Sequence, residues 1–259
     1  MSISKVLTLL ACAAYVQAQT PVDRSWTILL TAAEDKKAET RGKAVHALGA
    51  IRGNPRAQTA AETALKDADE DVRAAGAIAL GAMGATGSIP KLKEAIKDEA
   101  TTVVFAATNA LFVMGDPAAY EVYYAVLTGQ RKSGDALIES QMKMLKDPKA
   151  LTKLGVEAGI GFIPFGGVSY KAYKMVKADN VSPVRAAAAT KLINDPDPKA
   201  AEALTEATKD DKWLVRAAAV NAIAKRNDRA LLPALLPLLD DKEDIVRFNA
   251  AGAVIQLSK

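Results

Sequence analysis

The stretch DADEDVRAAGAIALGAMG, residues 67–84, runs from an acidic turn through Val-Arg into small residues and a large aliphatic. Val72, Gly76 and Leu80 stand four apart, so they share one face of a 3.6-residue helix. Three further stretches repeat the pattern: KADNVSPVRAAAATKLIN (177–194), TKDDKWLVRAAAVNAIAK (208–225) and DDKEDIVRFNAAGAVIQL (240–257). The marker arginines are Arg41, Arg73, Arg185, Arg216 and Arg247, with Phe105 and Lys153 in the same register. Successive markers are 31 or 32 residues apart, except for one step of 48 between Phe105 and Lys153. Six positions before each marker stand Asp35, Asp67, Glu99, Asp147, Asp179, Asp210 and Asp241, all acidic.

A fixed period of this length, with apolar spacing of helical type, predicts a stack of helical hairpins, one pair per repeat. The small residue three places after the marker lets neighbouring helices approach closely. The acid lies in the turn before the second helix, where its carboxylate accepts backbone N–H groups and favours the positive helix end. Ser182-Pro183 reads as a cap followed by a first-turn proline. First helices carry the larger aliphatics, as in PKLKEAIKD and ALLPALLPLLDD. An arginine recurring beside the apolar face predicts a ladder in which each guanidinium bridges an acidic turn of its own or the adjacent repeat. The expected rungs are Arg41, Arg73, Arg185, Arg216 and Arg247 with Asp35, Asp67, Asp179, Asp210 and Asp241.

Asp67…Val72-Arg73-Ala74-Ala75 with Leu80-Gly81, Asp210…Val215-Arg216-Ala217-Ala218 and Asp241…Val246-Arg247 resemble the HEAT-repeat family. The likeness is to the short bacterial lyase-type repeats of phycobilisome-processing proteins, and it covers roughly residues 24–258. It implies an all-α fold, an α-solenoid of about seven hairpins in a right-handed superhelix that binds partners on an extended surface. It implies no activity, because the repeat is a scaffold.

Residues 1–18, MSISKVLTLLACAAYVQA, place Lys5 ahead of an apolar run over 6–16 and end in Val16-Gln17-Ala18. This pattern predicts a secretory signal peptide cleaved after Ala18. The run falls short of the roughly 20 residues that span a bilayer. Cleavage removes Cys12, the single cysteine, and leaves a thiol-free chain, 19–259, in an oxidising setting, secreted or periplasmic. No other stretch approaches 18 consecutive apolar residues, so no transmembrane segment is expected in the mature chain.

The long step predicts an irregular insert at about 115–134, with an extra helix over DPAAYEVYYAVLTGQ (116–130). Tyr120, Tyr123 and Tyr124 fall on one face of that helix. GIGFIPFGG (159–167) carries Phe162 and Phe165, and Tyr170, Lys171, Lys174 and Lys177 follow. Residues 131–177 hold nine Lys or Arg against four Asp or Glu, whereas the whole chain is only +4. Aromatic and basic content together is what partner surfaces use, so these residues are the expected contact set. Packing of the tyrosines on the solenoid is the competing reading, with Phe162 and Phe165 sealing a bend.

Reaction chemistry is sparse. His46 is the sole histidine and Ala47 follows it, so the His-Glu pairs of di-iron HEAT hydroxylases are missing. No G-x-S-x-G, P-loop or strand-borne G-x-G-x-x-G occurs. The expectation is a non-enzymatic scaffold or adaptor without metal or cofactor that binds a protein partner outside the cytoplasm. Binding of an anionic polymer or lipid headgroup by the basic segment is the alternative, and a metal-dependent oxygenase is disfavoured. A charge of +4 gives no reason to expect a specific nucleic-acid site.

Overall fold

The computed structural model describes residues 19–128 and 181–259, which are helices joined by short turns, with no strand among them. In chain order the helices are α1 (Pro21–Ala33), α2 (Ala38–Leu48), α3 (Pro55–Ala64), α4 (Glu70–Met83), α5 (Ile89–Ala95), α6 (Thr101–Val113) and α7 (Ala118–Thr128). After the undescribed stretch follow α8 (Ser182–Lys191), α9 (Pro198–Ala207), α10 (Trp213–Arg226), α11 (Leu232–Leu235) between 3₁₀ turns, and α12 (Asp244–Leu257). Local chemistry sets the ends. Asn54, Asp69 and Asp197 cap α3, α4 and α9 with side-chain oxygens on early N–H groups. Gly84 closes α4 at φ 66° and Asn227 closes α10 at φ 55°, conformations that only Gly, and next Asn, adopt readily. Ser182 is not the cap expected of it: it is the first helical residue, with Val181 in the capping place.

The arginine ladder is present, and at three rungs, Arg41, Arg73 and Arg216, the guanidinium has two tasks. In Arg41, Nε and Nη2 grip Asp67 at 2.8 and 2.7 Å, while Nη1 donates to the carbonyl of Asp35 at 3.0 Å. Arg73 grips Asp98 at 2.8 and 2.9 Å and donates to the carbonyl of Asp67 at 3.0 Å. Arg216 grips Asp241 at 2.7 and 2.8 Å and donates to the carbonyl of Asp210 at 2.8 Å. Arg185 reaches Asp210, and Arg247 turns back to the Asp241 carbonyl and to Asp244. The arginine therefore fastens its own turn through main-chain oxygens and the next turn through a carboxylate. Each carboxylate in turn accepts the N–H two residues on, as Asp67 does from Asp69 at 2.9 Å and Asp241 from Glu243 at 2.9 Å. Asp179, Asp147 and Lys153 lie outside the described residues.

One rung is shifted. Asp98, rather than Glu99, accepts the Ala100 N–H at 2.8 Å and takes Arg73. The Glu99 side chain is 93% exposed and 3.9 Å from Arg73. Counting from Asp98 places Val104 at the marker position instead of Phe105. Val103, Ala107 and Leu111 then occupy the buried stripe, all fully enclosed, while Phe112 is 45% exposed. This pair has no arginine, so no charge pins the register, and the aromatics at 105 and 112 imitate the pattern one place late.

The order of stacking is not the order of the chain. The second helices pack as α6–α4–α2 and as α8–α10–α12, and α12 then lies along both α1 and α2. The first and last repeats are thus neighbours in the middle of the array, and the core runs through them unbroken: Trp26, Leu29, Leu48, Val254 and Leu257 belong to one buried cluster. A Cβ built on Gly252 would stand 2.5 Å from the Ala47 carbonyl oxygen, so glycine sets the closeness of α12 to α2. Gln256 accepts the Arg52 N–H at 2.9 Å across the same junction, and Arg24 pairs with Asp240.

Candidate functional site

Because α2, α4, α8, α10 and α12 all turn one flank to the same side, the junction leaves a cavity of about 390 Å³ between the two halves. Small residues make the room: Ala47, Ala50, Ala82, Ala218 and Ala222 are among its walls. These are the alanines and neighbours of the repeat pattern, so the sequence feature that permits close helix approach also opens the space. The polar part of the lining comprises His46, Arg52, Thr190, Asn221, Lys225, Asn227, Asn249 and Gln256. Among the described residues it contains two cations, several amides and no carboxylate.

Asn249, on α12, is 4% exposed, and its Nδ2 is buried without an acceptor among the described residues. An unsatisfied buried donor costs on the order of 1–3 kcal/mol. His46, on α2, is half-buried. Burial, and then the charge of Lys225 on α10, lower its pKa to about 4, so the ring is neutral at physiological pH. His46 and Lys225 both line the cavity, so residues from the first and sixth repeats face each other here. Gln256 donates from Nε2 to Asn227 at 3.2 Å, tying α12 to the end of α10 at the cavity wall.

The residues expected to form a contact surface fare differently. Residues 118–128 of the stretch 116–130 form helix α7. Tyr120 and Tyr124 on it are exposed, whereas Tyr123 is half-buried and its hydroxyl pKa is pushed up by burial. Phe112 of α6 meets Tyr120 and Tyr123 edge-on, each with ring centroids 5.6 Å apart. Tyr123 is thus packed, Tyr120 both touches Phe112 and meets solvent, and Tyr124 is largely exposed. Phe162, Phe165, Tyr170, Lys171, Lys174 and Lys177 lie outside the described residues. Among the described residues no group of three His, Cys, Asp or Glu is placed to hold a metal, and no helix is long and apolar enough to cross a membrane.

The cavity was not legible from the repeat. His46 reads as a packing or surface histidine in sequence, and nothing in the spacing brings it to Lys225 or Asn249. Their meeting depends on the first repeat stacking on the last.

A family model agrees with this architecture. The family model for HEAT repeats matches residues 59–132 and 173–255. A comparison with curated proteins finds no match. Among solved structures, the chain is similar to the complex of CpcE and CpcF of phycocyanin lyase from Nostoc sp. PCC7120, with 18% identity over 93% of this chain and 96% of that one, TM-score 0.35. It is also similar to human deoxyhypusine hydroxylase in complex with glycerol, with 18% identity over 93% of this chain and 86% of that one, TM-score 0.30. With its repeats matched over more than half its length and its helices paired and stacked, the chain belongs to the HEAT-repeat family.

Proposed function

We propose that this protein is a non-enzymatic HEAT-repeat scaffold that binds a protein partner outside the cytoplasm. The observation that carries the reading is the convergence of five second helices on one donor-rich cavity at the junction of the two halves. A lining of amides, cations and one neutral imidazole suits holding a group by hydrogen bonds and charge. General acid–base work at neutral pH asks for a pKa near 7, and His46 is held at about 4. The exposed Tyr120 and Tyr124 add an aromatic surface at the far end of the N-terminal half.

Export is part of the proposal. The first helix is capped by Thr20, whose Oγ1 accepts the Asp23 N–H at 3.1 Å. Cleavage after Ala18 leaves that cap intact. The test is a pull-down from the exported fraction with residues 19–259 as bait, together with the intact mass of the exported chain. A partner retained at moderate salt and a mass beginning at Gln19 are the expected results. Capture of acidic polymer or lipid alone, lost as salt rises, would replace the protein-partner reading.

A further inference from the structure

We propose that the junction cavity is a carboxylate-binding site, with the Asn249 amide as donor at the wall and Lys225 and Arg52 supplying the compensating charge. The inference rests on the scaffold reading and names the chemistry of what the scaffold holds. Three observations carry it. Among the described residues the lining has two cations and no anion, so a bound anion meets attraction without a repelling partner there. Asn249 Nδ2 is buried without an acceptor among the described residues, and a carboxylate oxygen supplies one. Lys225 and Arg52 are exposed while Asn249 is enclosed, which grades the site from charge outside to a neutral donor inside.

Other ligand classes fit less well. A cation finds no counter-charge among the described lining residues. An apolar group leaves the Asn249 donor unsatisfied. A phosphate asks for a nest of main-chain N–H groups, whereas these walls are mostly helix flanks whose N–H groups are committed within their helices, and the Arg52 N–H is taken by Gln256. A volume of about 390 Å³ is within the range of small-molecule sites and admits an acidic side chain or a short dicarboxylic acid. The carboxylate therefore comes either from an acidic segment of a partner protein or from a free acid.

Isothermal titration of residues 19–259 with glutarate, with an acetylated Glu-rich hexapeptide and with its Gln counterpart tests the site and separates the sources. One or both acids bind and the Gln peptide does not. Lys225→Glu and Asn249→Asp each weaken binding by about tenfold or more, Asn249→Leu weakens it as well, and Lys199→Ala on exposed α9 leaves it unchanged. Lys225 is exposed, so its variant folds, and circular dichroism confirms this for the Asn249 variants. Binding of the peptide alone assigns the site to a partner segment, and binding of glutarate alone assigns it to a free acid. Failure of both acids, or equal affinity across all the variants, overturns the assignment. If glutarate binds and the bait captures no protein, the scaffold reading fails while the site stands. If neither acid binds and a captured partner is retained by Asn249→Asp, the site fails while the scaffold stands.

Discussion

Arg216 and Asp241 sit 25 residues apart and meet in a two-pronged pair, Nε to Oδ2 at 2.7 Å and Nη2 to Oδ1 at 2.8 Å. The third nitrogen, Nη1, turns the other way, to the carbonyls of Asp210 and Asp211 at 2.8 and 3.1 Å. One side chain thereby fixes two successive turns relative to each other. The same geometry recurs at Arg41 and Arg73, which makes it the device that holds the repeats in phase.

Arg216→Ala should destabilise the protein by about 3 kcal/mol. The side chains of Arg216 and Asp241 are only 9% and 6% exposed, so the deletion strands a carboxylate and two carbonyls away from water. Lys225→Ala, at an exposed position on the same helix, should stay within about 0.5 kcal/mol. Urea unfolding of both variants decides the matter, and equal midpoints would remove the ladder's role in stability.

The ladder was open to reading because its signal is local. An acid and, six positions on, an arginine repeat along the chain, and charge beside an apolar stripe has few other reasons to recur. The third pair shows the limit: without an arginine, Val104 and Phe105 look equally good as markers, and only the turn formed by Asp98 settles between them. The non-sequential stacking was beyond reach for a different reason. Gly252 and Ala47 are each ordinary small residues of the pattern, and no periodicity says that the last repeat packs on the first. The junction cavity inherits that invisibility, since His46, Lys225 and Asn249 become neighbours only through it.

Acid should weaken the fold in two separate windows. His46 has a folded pKa of about 4 against an ordinary 6.5, so between these values the unfolded chain takes up a proton that the native one refuses. Stability from this group is full above pH 6.5 and declines by about 3 kcal/mol as pH falls to 4. The ladder carboxylates act lower. The Arg41 hydrogen bond holds Asp67 below its ordinary 3.8, and at Asp241 the Arg216 hydrogen bond and a main-chain N–H outweigh the upward push of burial. Their contribution is present above 3.8 and is lost as pH drops through the depressed native values. Melting temperatures of His46→Gln should therefore be flat between pH 6.5 and 4.5 where the parent's fall. A slope unchanged by that substitution would show that His46 is not the group responsible.

Iron should not copurify at a stoichiometric level. The chain holds one histidine and one cysteine in all, and the described residues offer no cluster of three metal-binding side chains. A di-iron centre needs several imidazole and carboxylate donors in convergent positions. Elemental analysis of the protein purified from iron-supplemented medium is the check. One or more iron atoms per chain would revive the oxygenase reading and displace the scaffold.

Gly252→Ala tests the junction on which the cavity depends. The added Cβ would stand 2.5 Å from the Ala47 carbonyl oxygen and 3.5 Å from the Ala50 Cβ, and a main-chain oxygen inside α2 has no free rotation by which to yield. The helices must separate, and overpacking of this kind costs about 1–3 kcal/mol. Gly87→Ala is the matched control, because its nearest neighbour is the flexible end of Gln58 at 3.3 Å. Hydrogen exchange locates the effect: amides of α1 and α2 should exchange faster in Gly252→Ala, since both helices pack on α12, while those of α9 should not change. Wild-type protection in α1 and α2, with an unchanged melting temperature, would mean that the first and last repeats do not meet in solution. In that event the chain stacks as two separate halves, and the cavity between them is lost with the contact.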